Sequence, residues 1–157
     1  MKDSELEVLS RGLVLRLLAD RPVMLLCRSV TGGYHYLPGG HVEFDEPAEH
    51  ALRREFLEEA DLLVRPGGLA LIIEERFDQG ARRRHEYNLV FHVEHLAGED
   101  EAVVPTHRPP TDVRSREPAI AFEWVALDDL ERIDLRPVRI GDWLRTHPTT
   151  RAPWLSS

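Results

Sequence analysis

Glu55, Glu58 and Glu59 fall close together in a stretch, Pro47 to Ala60, that reads as a helix. At about 100° per residue, Glu59 lies about 40° and Glu58 about 300° from Glu55, so the three share about one third of the circumference. Ala48, Ala51 and Leu52 fall in the same sector, so the carboxylates continue the line of small apolar residues. An ordinary amphipathic helix carries Leu or Val in such places. Like charges packed toward a sheet repel one another and lose hydration. A divalent cation resolves that conflict, and oxygen ligands without cysteine suit Mg²⁺ or Mn²⁺. A solvated acidic helix end, with Arg53 and Arg54 as partners, is the other reading of the same residues.

Just upstream, Pro38-Gly39-Gly40 lets the backbone turn tightly and approach a ligand. The short gap to the helix brings a backbone carbonyl or amide within reach of the carboxylates. Tyr34 and Tyr36 flank this loop and are candidates to stack on a base, with core packing or a dimer contact as the alternatives. Arg28, at the end of a strand, is a candidate for the cleft or for a surface salt bridge. Arg82, Arg83 and Arg84 are candidates to clamp a phosphate, or form a solvated hairpin tip. Eight histidines offer no i, i+4 pair on one helix, which disfavours zinc. Cys27 reads as a buried strand residue.

These residues need a scaffold. Residues 11–19 place Leu13, Leu15 and Leu17 at period two, as in a strand, and Val23 to Arg28 form another. Pro66-Gly67-Gly68 punctuates the chain before a strand from Leu69 to Asp78. His85 to Leu96 alternates: Tyr87, Leu89, Phe91 and Val93 share one face, while Glu86, Asn88, His92 and Glu94 give the other a wet or functional character. Residues 97–118 are polar, hold four prolines and read as a long variable loop. Ala121 to Val125 is a short strand and Pro137 to His147 a closing helix. The order predicts an α/β chain, a mixed sheet with helices packed on it.

The 157 residues fit one domain, 1–157, large enough for a real core. A formal charge of −8 argues against a stable complex with nucleic acid. It leaves open a small anion held through a cation. One cysteine excludes an intrachain disulfide. Met1 to Val8 lacks the apolar core of a secretory signal, and no apolar run approaches the ~18 residues of a membrane span. The expected location is the cytoplasm, away from membranes.

Taken together, Gly40, Glu46, Arg54-Glu55-Phe56, Glu58-Glu59 and Asp61-Leu62 resemble the Nudix box, G-x5-E-x7-R-E-U-x-E-E-x-G-U, where U is a bulky apolar residue. Six of the seven fixed letters match, and Asp61 stands where the box has its last glycine. That glycine sits where the helix turns into a loop, a left-handed conformation that Asp tolerates better than most residues. The resemblance implies the Nudix fold, an α/β/α sandwich around a mixed sheet. It implies Mg²⁺-dependent hydrolysis of a nucleoside diphosphate linked to another moiety, with Mn²⁺ as a substitute. Glu55, Glu58 and Glu59 would hold the metal, the Gly40 carbonyl would be an extra ligand, and Arg54 would orient the glutamates. Gly39, with Tyr36, Arg28 and Arg84, would contact the substrate, and Glu46 would be a structural partner of the box. Family members often add a later carboxylate; Glu117 is the first choice, before Glu94, Glu99, Asp100, Glu101 and Glu123. Marks of the ADP-ribose pyrophosphatases and diadenosine polyphosphate hydrolases are missing around Phe77-Asp78-Gln79. Two rivals stand beside the enzyme reading: a silent nucleotide-binding sensor, which the intact glutamates disfavour, and a 5′-end RNA pyrophosphohydrolase, which the charge disfavours. A homodimer is compatible with the family.

Overall fold

The computed structural model describes residues 4–98, 113–146 and 154–156. In chain order they form β1 (Ser4–Leu13), β2 (Leu15–Leu18), β3 (Arg21–Ser29), β4 (His35–Tyr36), β5 (Gly39–His41), α1 (Ala48–Ala60), β6 (Leu62–Gln79), β7 (Arg82–Gly98) and β8 (Ile120–Ala126). A 3-10 helix (Leu127–Arg132), α2 (Val138–Thr146) and β9 (Trp154–Ser156) follow.

The strands divide between two sheets. The larger has the order β5-β1-β7-β6-β9; β1 runs parallel to β7 and β9 parallel to β6, and the other pairs are antiparallel. In the smaller sheet β8 pairs with one edge of β3, while β2 and β4 pair with the other edge at different ends. Leu62 enters β6 directly after α1, so the Pro66-Gly67-Gly68 stretch does not break the strand. It appears as register shifts between Arg65 and Leu71, where the missing proline N–H and the glycines are absorbed as bulges.

The helices lie on opposite faces, which yields the expected α/β/α layering. Leu52, Phe56 and Ala60 recur every four residues along α1 and pack with Leu25, Phe91 and Val93. Ile140, Trp143 and Leu144 of α2 pack with Met24, Leu26, Ile73 and Val90. Strand β3 is therefore buried on both sides, and its Val-Met-Leu-Leu-Cys run reads as continuously apolar for that reason. Cys27 lies fully within this strand, as expected. The ring of Phe56 sits directly over Gly12 of β1, where a Cβ would come within 2.8 Å of it. Ser10, also buried, donates to the Ala48 carbonyl at 2.7 Å and ties β1 to the first turn of α1.

Candidate active site

The pairing of β1 with β5 sets the site. Ser10 opposes Gly40 and Arg11 opposes Gly39, so neighbouring glycines address opposite faces of the sheet. Gly40 faces α1: a Cβ there would lie within 2.5 Å of both carboxylate oxygens of Glu55. Gly39 stands at φ +135°, where a Cβ would collide with the Ser10 carbonyl, and its own carbonyl accepts from Arg11 Nη1 at 3.0 Å. A side chain at either glycine would clash, at Gly39 with the backbone of β1 and at Gly40 with the Glu55 carboxylate.

Arg54 knits the acidic helix. Its Nε and Nη2 each donate at 2.9 Å to the two oxygens of Glu46, a bidentate pair. Nη1 donates to Glu55 at 2.9 Å and to Glu58 at 3.3 Å, and Nη2 also reaches the His41 carbonyl at 3.0 Å. Glu46 in turn accepts from the Glu43 backbone N–H. The Arg54 guanidinium, helped by that N–H, holds the Glu46 carboxyl down at about 2, and Glu46 pushes the Arg54 pKa up. The loop before α1 is thereby pinned to the helix by charge-assisted bonds.

Glu59 behaves differently. Burial, then the charges of Glu55, Glu117 and Glu58, push its carboxyl up to about 7, against the pull of Arg11. Glu117 thus lies within electrostatic reach of the box. Among the described residues, no three His, Cys, Asp or Glu side chains converge on one point. Arg54 Nη1 draws Glu55 and Glu58 to itself, while Glu59 sits in the field of Arg11. The residues nevertheless suit a hard divalent cation. All the donors are oxygens, the bare Gly40 backbone lies against the Glu55 carboxylate, and Glu59 is pressed by like charges.

On the other sheet face a cleft of about 610 Å³ opens beside α2. Tyr34, Tyr36 and Phe77 give it aromatic walls; Arg11, Asn88, Glu75 and Glu86 supply its polar groups. Arg136 lies 4.3 Å from the Tyr34 ring centroid. Asn88 is buried; its Oδ1 accepts from Arg11 Nε at 3.2 Å, and its Nδ2 has no hydrogen-bond partner. Glu75 and Glu86 oppose each other across β6 and β7, and burial together with Glu86 raises the Glu75 pKa. Arg11 touches both this cleft and the field of Glu59, so the two regions adjoin.

The structure brings Gly39, Gly40, Glu46, Arg54, Glu55, Glu58 and Glu59 together and places Tyr36 in the adjoining cleft. Two of the substrate candidates are held away from the cleft. Arg28 does not reach the cleft, because Glu123 accepts from its Nε at 2.5 Å and also bonds His35. Arg84 is likewise held elsewhere, by Glu7 at 2.6 Å and Gln79 at 3.0 Å. Glu94 pairs with Arg65. Glu99, Asp100 and Glu101 lie outside the described residues. Sequence reasoning missed Arg11, Glu75 and Arg116. The alternation of β7 pointed to Glu86 and Asn88, and the same rule applied to Ile73, Glu75 and Phe77 would have found Glu75.

A family model described as the NUDIX domain matches residues 8–144, and the chain belongs to the Nudix family. A MutT Nudix hydrolase from Burkholderia pseudomallei is similar at 25% identity and TM-score 0.63, covering 87% of this chain and 95% of that one. A MutT protein from Bacillus halodurans (19%, TM-score 0.66, 96% of this chain and 86% of that one) and a C. elegans Ap4A hydrolase (18%, TM-score 0.55, 90% and 95%) share the fold. No curated protein matches the chain. No helix among the described residues is long and apolar enough to cross a membrane.

Proposed function

We propose that this chain is a Mg²⁺-dependent pyrophosphohydrolase. It cleaves the pyrophosphate linkage of a small nucleotide, a nucleoside triphosphate or a nucleoside diphosphate joined to another moiety. The observation that carries the reading is the Glu55 carboxylate held against Gly40 by Arg54, which also engages Glu46 and Glu58.

Glu55, Glu58 and Glu59, with the Gly40 carbonyl and Glu117, would hold the cation. When bound, it neutralises diphosphate charge and lowers the pKa of a water. Arg54 tethers Glu55 and Glu58 and offsets their mutual repulsion, so the two carboxylates stay side by side near Gly40 before a cation binds. A carboxylate at the rim, Glu55 or Glu117, accepts the proton of the attacking water. The cleft beside α2 takes the organic end: Tyr34 and Tyr36 offer aromatic surface, and Arg11, which Asn88 Oδ1 holds by its Nε, offers a cation. The C. elegans relative is an Ap4A hydrolase by its description, and dinucleoside polyphosphates therefore belong among the substrates tested.

The test is release of phosphate or pyrophosphate from nucleoside triphosphates, nucleoside-diphosphate sugars, ADP-ribose, NADH and dinucleoside polyphosphates. Each is assayed at slightly alkaline pH with and without Mg²⁺ or Mn²⁺. Metal-dependent turnover of at least one compound supports the reading. Metal-dependent binding without turnover across the panel favours the sensor.

A further inference from the structure

We propose that Asp61 and Arg116 form a clamp that positions the Glu117 carboxylate against the acidic helix. Asp61 is then a positioning residue for the reaction, and this rests on the pyrophosphohydrolase reading above.

Asp61 ends α1 at φ 53°, ψ 34°, the left-handed conformation, and its N–H donates to the Leu57 carbonyl at 3.1 Å. Glycine serves that backbone role at least as well, so the cap alone gives no reason for a carboxylate here. The side chain does something glycine cannot. Arg116 Nε donates to Asp61 Oδ2 at 2.6 Å, and Arg116 Nη2 pairs with Oδ1. The same Arg116 donates its backbone N–H to the Glu59 carbonyl at 2.7 Å. Residue 116 is therefore fastened to the helix end twice, once by backbone and once by side chain.

Glu117 is the next residue. Ser115 Oγ donates to its carbonyl at 2.9 Å and accepts from its N–H at 3.0 Å, which closes a tight turn around it. Upstream, Val113 is buried in the cluster formed with Phe56 and Ala60. Downstream, the Ile120 N–H returns to the Glu117 carbonyl as β8 begins. The carboxylate is thus held on a short, tied segment beside Glu59, whose pKa registers its charge. The sequence departs from the box at a position whose side chain is ion-paired to the segment carrying a candidate ligand.

The test uses the full chain and Mn²⁺ alone as probe, followed by kcat and KM on a substrate found active. Asp61→Gly and Asp61→Asn both tolerate the left-handed backbone, so melting temperatures should stay near wild type. The expected result is a Mn²⁺ Kd raised about fivefold and kcat lowered about tenfold with KM unchanged, the scale of a coupled pair. Glu117→Gln should give similar losses, and Asp61→Gly combined with Glu117→Gln should be no worse than Glu117→Gln alone. A purely structural cap would change stability without that coupling. The proposal is overturned if the Asp61 variants bind Mn²⁺ and turn over like wild type, or if the two losses multiply. A wild-type chain that binds no Mn²⁺ defeats the functional reading instead. Mn²⁺ binding with the Asp61 effect, but no turnover of any substrate, defeats the enzyme reading and leaves the clamp standing.

Discussion

Gly40 and Glu55 occupy one space: the position a Cβ would take on Gly40 lies within 2.5 Å of both carboxylate oxygens of Glu55. The carboxylate is pressed onto bare backbone, and it is held there by Arg54 Nη1. Gly40→Ala therefore must displace Glu55 or shift β5. We expect kcat to fall about 10²-fold or more, in line with a misplacement of about 1 Å at a reacting centre. Circular dichroism should still report a folded chain, because β5 is a three-residue edge strand. Wild-type kcat in a folded Gly40→Ala protein would contradict the close approach.

Arg54 makes five hydrogen bonds from one guanidinium, two of them parallel to Glu46. A lysine keeps the charge and loses the fork. Arg54→Lys should lower kcat about 10²-fold, the usual scale for removing one oriented charged donor, and should lower the melting temperature. Glu46→Gln should share the loss of stability and have the smaller kinetic effect, since the bonds of Glu46 go to Arg54 and the Glu43 backbone. Glu46 is held well below the usual carboxylate range, so its stabilising contribution is present above the ordinary Glu pKa and is lost as pH falls toward about 2.

Glu59 gives the opposite sign. Its folded pKa, about 7, exceeds the ordinary value of 4.5, so the folded chain binds more protons than the unfolded chain between those values. Metal-free stability should therefore decline as pH rises from 4.5 to 7. Glu59→Gln, neutral at every pH, should melt higher than wild type at pH 8 and close to wild type at pH 4.5. Added Mg²⁺ should raise the wild-type melting temperature more at pH 8 than at pH 6, because protons and cation compete for the same oxygens. Melting curves at these pH values, with and without Mg²⁺, check both statements; a Mg²⁺ shift independent of pH would contradict the second.

Asn88 Nδ2 is buried beside the cleft without a partner. Its Oδ1 holds Arg11 in the cleft wall, a contact that serves ground state and transition state alike, so Asn88→Leu should raise KM about tenfold and leave kcat within a factor of about three. Steady-state kinetics on the preferred substrate decides this. A kcat loss with unchanged KM would place Asn88 in the chemistry and not in binding.

The legible part of the site was the part encoded by spacing along one helix. Glu55, Glu58, Glu59, Arg54 and the preceding glycines are close in sequence, and their angular positions follow from helix geometry alone. Ala51 and Leu52 likewise announced part of the buried face of α1. What escaped was set by pairing across strands. Arg11 reaches the site because β1 lies between β5 and β7, and no local pattern reports which strands become neighbours. Arg28 and Arg84 looked available for the same reason: their carboxylate partners, Glu123 and Glu7, stand 95 and 77 residues away in sequence. Pro66-Gly67-Gly68 looked like a boundary because propensity records the lost N–H but not the bulges that accommodate it. The expected mixed sheet formed, and a second, antiparallel sheet beside it went unforeseen, since strand count does not fix strand pairing.

The most direct measurement is kcat for Glu58→Gln beside wild type, on the substrate with the highest metal-dependent rate. Glu58 is exposed, bonded at 3.3 Å to Arg54, and outside both core clusters of the described residues, so neutralising it should leave the fold intact. The account predicts a loss of about 10³-fold in kcat, the scale of removing a group that acts at the reacting centre, with an unchanged melting temperature. A folded Glu58→Gln protein with wild-type kcat would contradict the assignment of these carboxylates to the chemistry.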